Sequence, residues 1–206
     1  MTPLNAMQQG ALVLGLFALI TAGSVATLRG LTAERIDTHQ QAYQQRQHQA
    51  VLPDPLKNAQ VSSISLPNAS QLGFLDGATG WQVDNDTQRA LVLPVVTQRG
   101  YNGEIRLLVG IDDQQRISGV RVTHHQETPG LGDDIERRRS DWITQFDGLT
   151  LDSLPSEGWG VTQDGGQFDA FTGATITPRA VVDAVHSALQ YATSTPLLGE
   201  NKESQP

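Results

Sequence analysis

From Ala11 to Leu28 the chain reads ALVLGLFALITAGSVATL, 18 residues without a charge, and no other segment restricts the fold so strongly. At about 1.5 Å per helical residue the run spans about 27 Å, enough for a thin bilayer core. One N-terminal transmembrane helix over 11–28 is expected, after a short segment 1–10. Ser24-Val25-Ala26 also fits a small-residue cleavage site, so a cleaved signal peptide is the competing reading, although no basic stretch precedes the run. Residues 1–10 hold no Lys or Arg, whereas Arg29 and Arg35 follow the span. By charge alone the large C-terminal part would stay inside, but two arginines bias orientation little and a long domain translocates largely regardless of charge.

A chain of 206 residues leaves room for one ordinary domain beyond this anchor. Residues 29–53 are polar and Gln-rich and end at Pro53, which suits a juxtamembrane helical stalk. Residues 53–80 mix Pro, Ser, Asn and Gly with short apolar runs and give no clear pattern. Three strand candidates follow, RALVLPVVTQ, EIRLLVGID and RISGVRVTH, joined by the turn-like RGYNG and DDQQ in the manner of a meander. DDIERRRSDWITQF, residues 133–146, puts Ile135, Arg139, Trp142, Ile143 and Phe146 on one helical face, with Asp133 and Glu136 spaced as a capping box. A further helix over 178–193 carries Val181, Val182, Val185, Ala188 and Leu189 at helical spacing, with Thr177 as N-cap and Pro178 at the first position. The expected fold is α+β, a mostly antiparallel sheet with packed helices over 54–193, closed by a disordered tail at 194–206.

Composition removes several functions. Asp and Glu outnumber Lys and Arg by 22 to 14, for a net charge of -8, so no global basic field attracts nucleic acid. The Arg137-Arg138-Arg139 triplet is offset by Asp133, Asp134, Glu136 and Asp141, which suits a salt-bridged surface. Absence of cysteine excludes thiolate-held iron-sulfur clusters, CxxCH haem attachment, cysteinyl flavin and a lipoprotein anchor. His124 and His125 are adjacent, and His39, His48 and His186 have no recurrent spacing to carboxylates, so no metal site is expected. No catalytic acid or base for substrate chemistry stands out either.

Two loops carry chemistry. In Phe171-Thr172-Gly173-Ala174-Thr175-Ile176-Thr177-Pro178, three hydroxyls surround a Gly-Ala pair just before a helix start. Unpaired N–H groups and the positive dipole end there favour a phosphate by roughly 0.3 to 1 kcal/mol. The same residues also suit a loop that only caps a surface helix. His125-Gln126-Glu127-Thr128-Pro129-Gly130-Leu131-Gly132-Asp133 links the third strand to the following segment. Pro129, Gly130 and Gly132 bend its backbone while His125, Glu127 and Thr128 supply donors and acceptors, as for a planar polar ligand or a structural strand-to-helix turn.

Taken in that order, HQETPGLGD and TGATIT resemble the FMN-binding domain of the RnfG and NqrC subunits of membrane redox pumps. The resemblance extends through GYNGEIRLLVGID and SDWITQF, and in these runs and in length it is closer to RnfG of the Rnf (Rsx) complex. It implies FMN bound covalently, with Thr175 as the phosphoester residue and Thr172 at the Ser/Thr position of the motif. By the same analogy His125, Glu127, Thr128, Gly130 and Leu131 are expected around the isoalloxazine, and Thr172, Gly173, Ala174, Ile176 and Thr177 around the attachment loop. It further implies a single-pass inner-membrane protein with a periplasmic domain, other Rnf/Rsx membrane subunits as partners, and a flavin transferase during maturation. The function so implied is that of a redox subunit of an ion-translocating ferredoxin:NAD oxidoreductase complex rather than an independent enzyme. A subunit of an NqrC-like sodium-pumping quinone reductase and a flavin-free structural adaptor are the alternatives.

Overall fold

Alternate residues of one long strand serve two different cores. In β3 (Arg89–Gly100), Leu91, Leu93 and Val95 join the main core while Ala90 and Val92 join a smaller one on the opposite face. That is the period-two alternation of a sheet covered on both sides. The structure, a computed structural model, describes residues 3–85, 87–195 and 197, with side chains of the first helix given for 10–30 and 46–51. The named elements are helix α1 (Pro3–Val51), strands β1 (Gln60–Leu66), β2 (Ala78–Asp84), β3, β4 (Gly103–Asp112) and β5 (Ile117–His124), and helix α2 (Ile176–Ser194). The five strands pair strictly in chain order and all antiparallel. The α+β architecture expected from the sequence is the one observed.

The chain divides into two units, 1–45 and 46–206. In the first, Gly10–Gly30 forms 21 residues of helix long and apolar enough to cross a membrane, with Leu12, Leu14, Phe17 and Leu19 exposed. In the second, α2 lays Val181, Val182, Val185, Ala188, Leu189 and Tyr191 onto the sheet, all fully buried. The Tyr191 hydroxyl donates to the Pro67 carbonyl at 2.6 Å, tying the helix to the β1–β2 connection.

Two expectations need correction. Residues 133–146 do not form one helix: short 3-10 helices at Asp133–Ile135 and Trp142–Phe146 are separated by residues 136–141, starting at Glu136, whose backbone is extended. The Asp133–Glu136 capping box is not formed, because the Asp133 carboxylate accepts the Gly130 N–H at 2.6 Å and the Glu136 carboxylate engages His125. The apolar spacing was real, since Ile135, Trp142, Ile143 and Phe146 are all buried, but the polar side chains bond to neighbouring loops rather than along a helix. The helix start also moves, because α2 begins at Ile176 with Thr175 as N-cap, and Pro178 sits within the first turn, where its missing N–H costs nothing. The salt-bridged reading of the arginine triplet holds: Arg137 pairs with Asp141, Arg138 with Glu136 and Arg139 with Asp133. Most of the expected tail lies outside the described residues.

The smaller core forms where the end of α1 meets paired glycines. Gly110 of β4 opposes Gly119 of β5, and Val51, Leu52 and Leu56 pack there with Val83, Val92 and Leu108. The Val51 carbonyl, which accepts the Ser118 hydroxyl at 2.6 Å, occupies the space where a Gly110 side chain would begin. Gly110→Ala is expected to force this contact apart and lower stability by about 1–3 kcal/mol. Urea unfolding of the purified full chain followed by tryptophan fluorescence checks it; an unchanged midpoint would refute the close packing.

Candidate functional site

One buried carboxylate brings the two motif loops together. Glu127, in the loop that leaves β5, is 4% exposed. Its Oε1 accepts the backbone N–H of Asn102, at the β3–β4 turn, at 3.0 Å, and its Oε2 accepts the hydroxyl of Thr177 in the first turn of α2. A buried charge without such partners would be costly. Space is made for it by absent side chains. A Cβ on Gly132 would meet Glu127 Cβ, Glu127 Oε2 and Thr177 Oγ1, each at 3.0 Å, and one on Gly100 would lie 2.9 Å from Oε1. The Asn102 amide adds bonds to the Gln126 carbonyl at 3.0 Å and to Thr128 Oγ1 at 3.2 Å.

His125 turns away from this junction. Its Nδ1 accepts the Glu127 N–H at 3.1 Å, so the proton belongs on Nε2, which donates to Glu136 Oε1 at 2.6 Å. The Glu136 carboxyl is held below the ordinary range first by its hydrogen bond from Arg138 and then by that from His125, against the opposing effect of burial. The other loop is set by aromatic packing. The Trp142 indole N–H donates to the Asp169 carbonyl at 2.8 Å, and Phe171 packs edge-on to Trp142 at 5.1 Å. From Phe171 the chain turns through Gly173, at φ +81°, to Thr175.

Thr175 is the N-cap of α2, yet its side chain makes no capping bond. Its Oγ1 lies 3.5 Å from Arg179 Nη1. The hydroxyl borders a cleft of about 250 Å3 lined by Tyr101, Glu127, Thr128, Leu131, Gly132, Gly173, Ala174, Thr175, Ile176 and Thr177. Tyr101, Leu131 and Ile176 form an exposed apolar rim. Eight residues singled out in the sequence thus meet at one place, namely Glu127, Thr128, Leu131, Gly173, Ala174, Thr175, Ile176 and Thr177. His125, Gly130 and Thr172 do not line the cleft: His125 supports the loop through Glu136, and Gly130 donates its N–H to Asp133. Tyr101, Asn102 and Arg179 were missed. The turn-like RGYNG was legible, but its meeting with loops distant in sequence was not.

A family model described as an FMN-binding domain matches residues 100–190, and one described as the RnfG N-terminal region matches residues 1–51. The class is therefore an FMN-binding domain carried behind an N-terminal apolar helix. Over 190 residues the chain is 40% identical to the G subunit of the ion-translocating oxidoreductase complex of Shewanella piezotolerans, covering 91% of this chain and 90% of that protein. The G subunits of the same complex from Vibrio cholerae and Salmonella typhi are 41% identical over 190 residues and 44% identical over 197, covering 91% and 94% of each chain. The chain belongs to the RnfG family, the G subunits of ion-translocating oxidoreductase complexes.

Glu127→Ala is expected to leave Asn102 N–H and the Thr177 hydroxyl without their acceptor and to cost about 1–3 kcal/mol. Urea titration of the full chain measures it, and a loss below a few tenths would sink the view of Glu127 as the clasp. Glu136 generates a pH dependence. Because its folded pKa is depressed, its stabilising contribution is complete above the unfolded value of about 4.3 and is lost as pH falls through the folded value. Glu136→Gln is expected to flatten part of the acid limb of a stability-versus-pH curve, and an acid limb identical to wild type would refute this.

Proposed function

We propose that this chain is an electron-transfer subunit bearing FMN as a phosphoester on Thr175 Oγ1, within an ion-translocating oxidoreductase complex that works between ferredoxin and NAD. The observation that carries the reading is the Thr175 hydroxyl, free of any capping duty and bordering the cleft that both motif loops share. The surroundings suit the group. Unpaired N–H groups of the first turn of α2 and the Arg179 guanidinium favour a phosphate, while Tyr101, Leu131, Ala174 and Ile176 offer apolar surface to a planar ring. The cleft, about 250 Å3, falls just below the range of about 300–1,000 Å3 for pockets that enclose a small ligand, which suits a tethered group with an accessible edge.

When bound, the flavin supplies one- and two-electron redox chemistry. The protein holds and orients it. Thr128 and Leu131 would hold the ring from one loop, and Gly173, Ala174 and Ile176 would shape the attachment loop. Glu127 would support the site by clasping the loops and His125 by fixing the loop backbone against Glu136. Attachment requires a separate flavin transferase with FAD as donor. Attachment would consume the Thr175 hydroxyl, the transferase supplying the FMN group from FAD with AMP as the other product. With the apolar helix as membrane anchor and the domain in the periplasm, a covalent tether keeps the cofactor's effective concentration high where a released one would be diluted.

Coexpression of the full chain with a flavin transferase is expected to give a denatured band with flavin fluorescence and a mass increase of one FMN. Thr175→Val should abolish both. A colourless wild type beside a competent transferase, or equal labelling of Thr175→Val, would overturn the attachment.

A further inference from the structure

Arg179 stands one turn along α2 from Thr175 and is held from the other side by Asp164. The Asp164 carboxylate accepts from Nε and, at 2.8 Å, from Nη2, a bidentate grip that fixes the plane of the guanidinium. Nη1 is left 3.5 Å from Thr175 Oγ1. The brace rests on ordered structure: Asp164 ends the short 3-10 helix Thr162–Asp164, which follows Val161, and Val161 bridges to Phe168, itself stacked on Phe146 at 4.6 Å. Both partners remain partly exposed, 38% for Arg179 and 46% for Asp164, so their mutual attraction is screened and adds little to stability. The arrangement gains a purpose if a negative charge is placed on Thr175. Asp164 occupies Nε and Nη2, whereas Nη1 is directed to the oxygen that would carry it, at the positive end of α2.

We infer that Arg179, braced by Asp164, is a positioning residue for the attached cofactor: its Nη1 neutralises the phosphoester at Thr175 and holds the tether against the first turn of α2. This rests on the reading of Thr175 as the attachment residue. The Arg179–Asp164 pair therefore sets how freely the attached group swings, separately from whether it is attached.

The test uses the full chain in detergent, coexpressed with a flavin transferase, as wild type, Arg179→Gln, Arg179→Lys and Asp164→Asn. Mass and in-gel fluorescence report attachment; flavin fluorescence anisotropy and the phosphorus NMR shift of the phosphodiester report how the tether is held. Labelled Arg179→Gln is expected to lose anisotropy toward that of a free tether and to shift the phosphorus line, with Arg179→Lys partly restoring both and Asp164→Asn falling between. Labelled Arg179→Gln with wild-type anisotropy and phosphorus shift overturns the inference. If Arg179→Gln is folded by circular dichroism yet takes up no flavin, recovery of labelling in Arg179→Lys supports the charge role, and failure of both overturns it in favour of recognition by the transferase. If Arg179→Gln does not fold, Asp164→Asn decides by the same two readouts. An unlabelled wild type refutes the Thr175 reading itself and takes this inference with it, a result distinct from any change confined to the Arg179 variants.

Discussion

The site depends on one buried carboxylate, that of Glu127. Glu127 is buried with only two strong donors, and they come from the β3–β4 turn and the first turn of α2. A carboxylate removed from water must recover its lost hydration through such bonds, and the recovery fails if either partner moves. The glycines at 100 and 132 follow from this, because any side chain at those positions would occupy the space of the carboxylate or its partner. Hairpin, loop and helix are thereby locked to one another at the point where the cleft opens.

Against this clasp, Thr175 is conspicuous for what its hydroxyl does not do. Thr177 spends its hydroxyl on Glu127, whereas Thr175, at the N-cap, satisfies no backbone donor of its own helix. The two threonines are two residues apart and both border the cleft, but only Thr177 is fully buried and bonded to the clasp. Edge-on packing of Phe171 against Trp142, with the indole N–H donated to the Asp169 carbonyl, fixes the loop that leads into this turn.

Much of this was legible from residues alone. The three strands of the meander and the C-terminal helix follow from alternating and helical apolar spacing, and both motif loops could be placed between elements. The first two strands could not: β1 reads QVSSISL, is exposed along most of its length at the sheet edge, and therefore shows no alternation. The segment after Gly132 misled for the opposite reason. Its apolar residues are spaced as in a helix and are buried as in one, but Asp133 and Glu136 commit their side chains to the preceding loop, Ser140 bonds back to the Asp134 carbonyl, and the continuous backbone ladder is broken. Tyr101 and Asn102 became visible only in three dimensions, because their place beside the cleft and Glu127 depends on residues distant in sequence, and Arg179 because its bond to Asp164 crosses from α2 to a separate 3-10 helix.

Strictly sequential pairing has a temporal side. Every sheet contact joins neighbouring strands, so β1 to β5 can assemble from local hairpins with little loop-closure cost as the chain is made. The Glu127–Thr177 clasp, in contrast, closes a separation of 50 residues and needs α2, the last helix among the described residues. The cleft is complete only with α2 docked, because Thr175, Ile176 and Thr177 line it. With α2 docked, Thr175 is presented from the N-cap of a packed helix whose first turn is clasped through Thr177, so the exposure of that hydroxyl depends on the docking of α2.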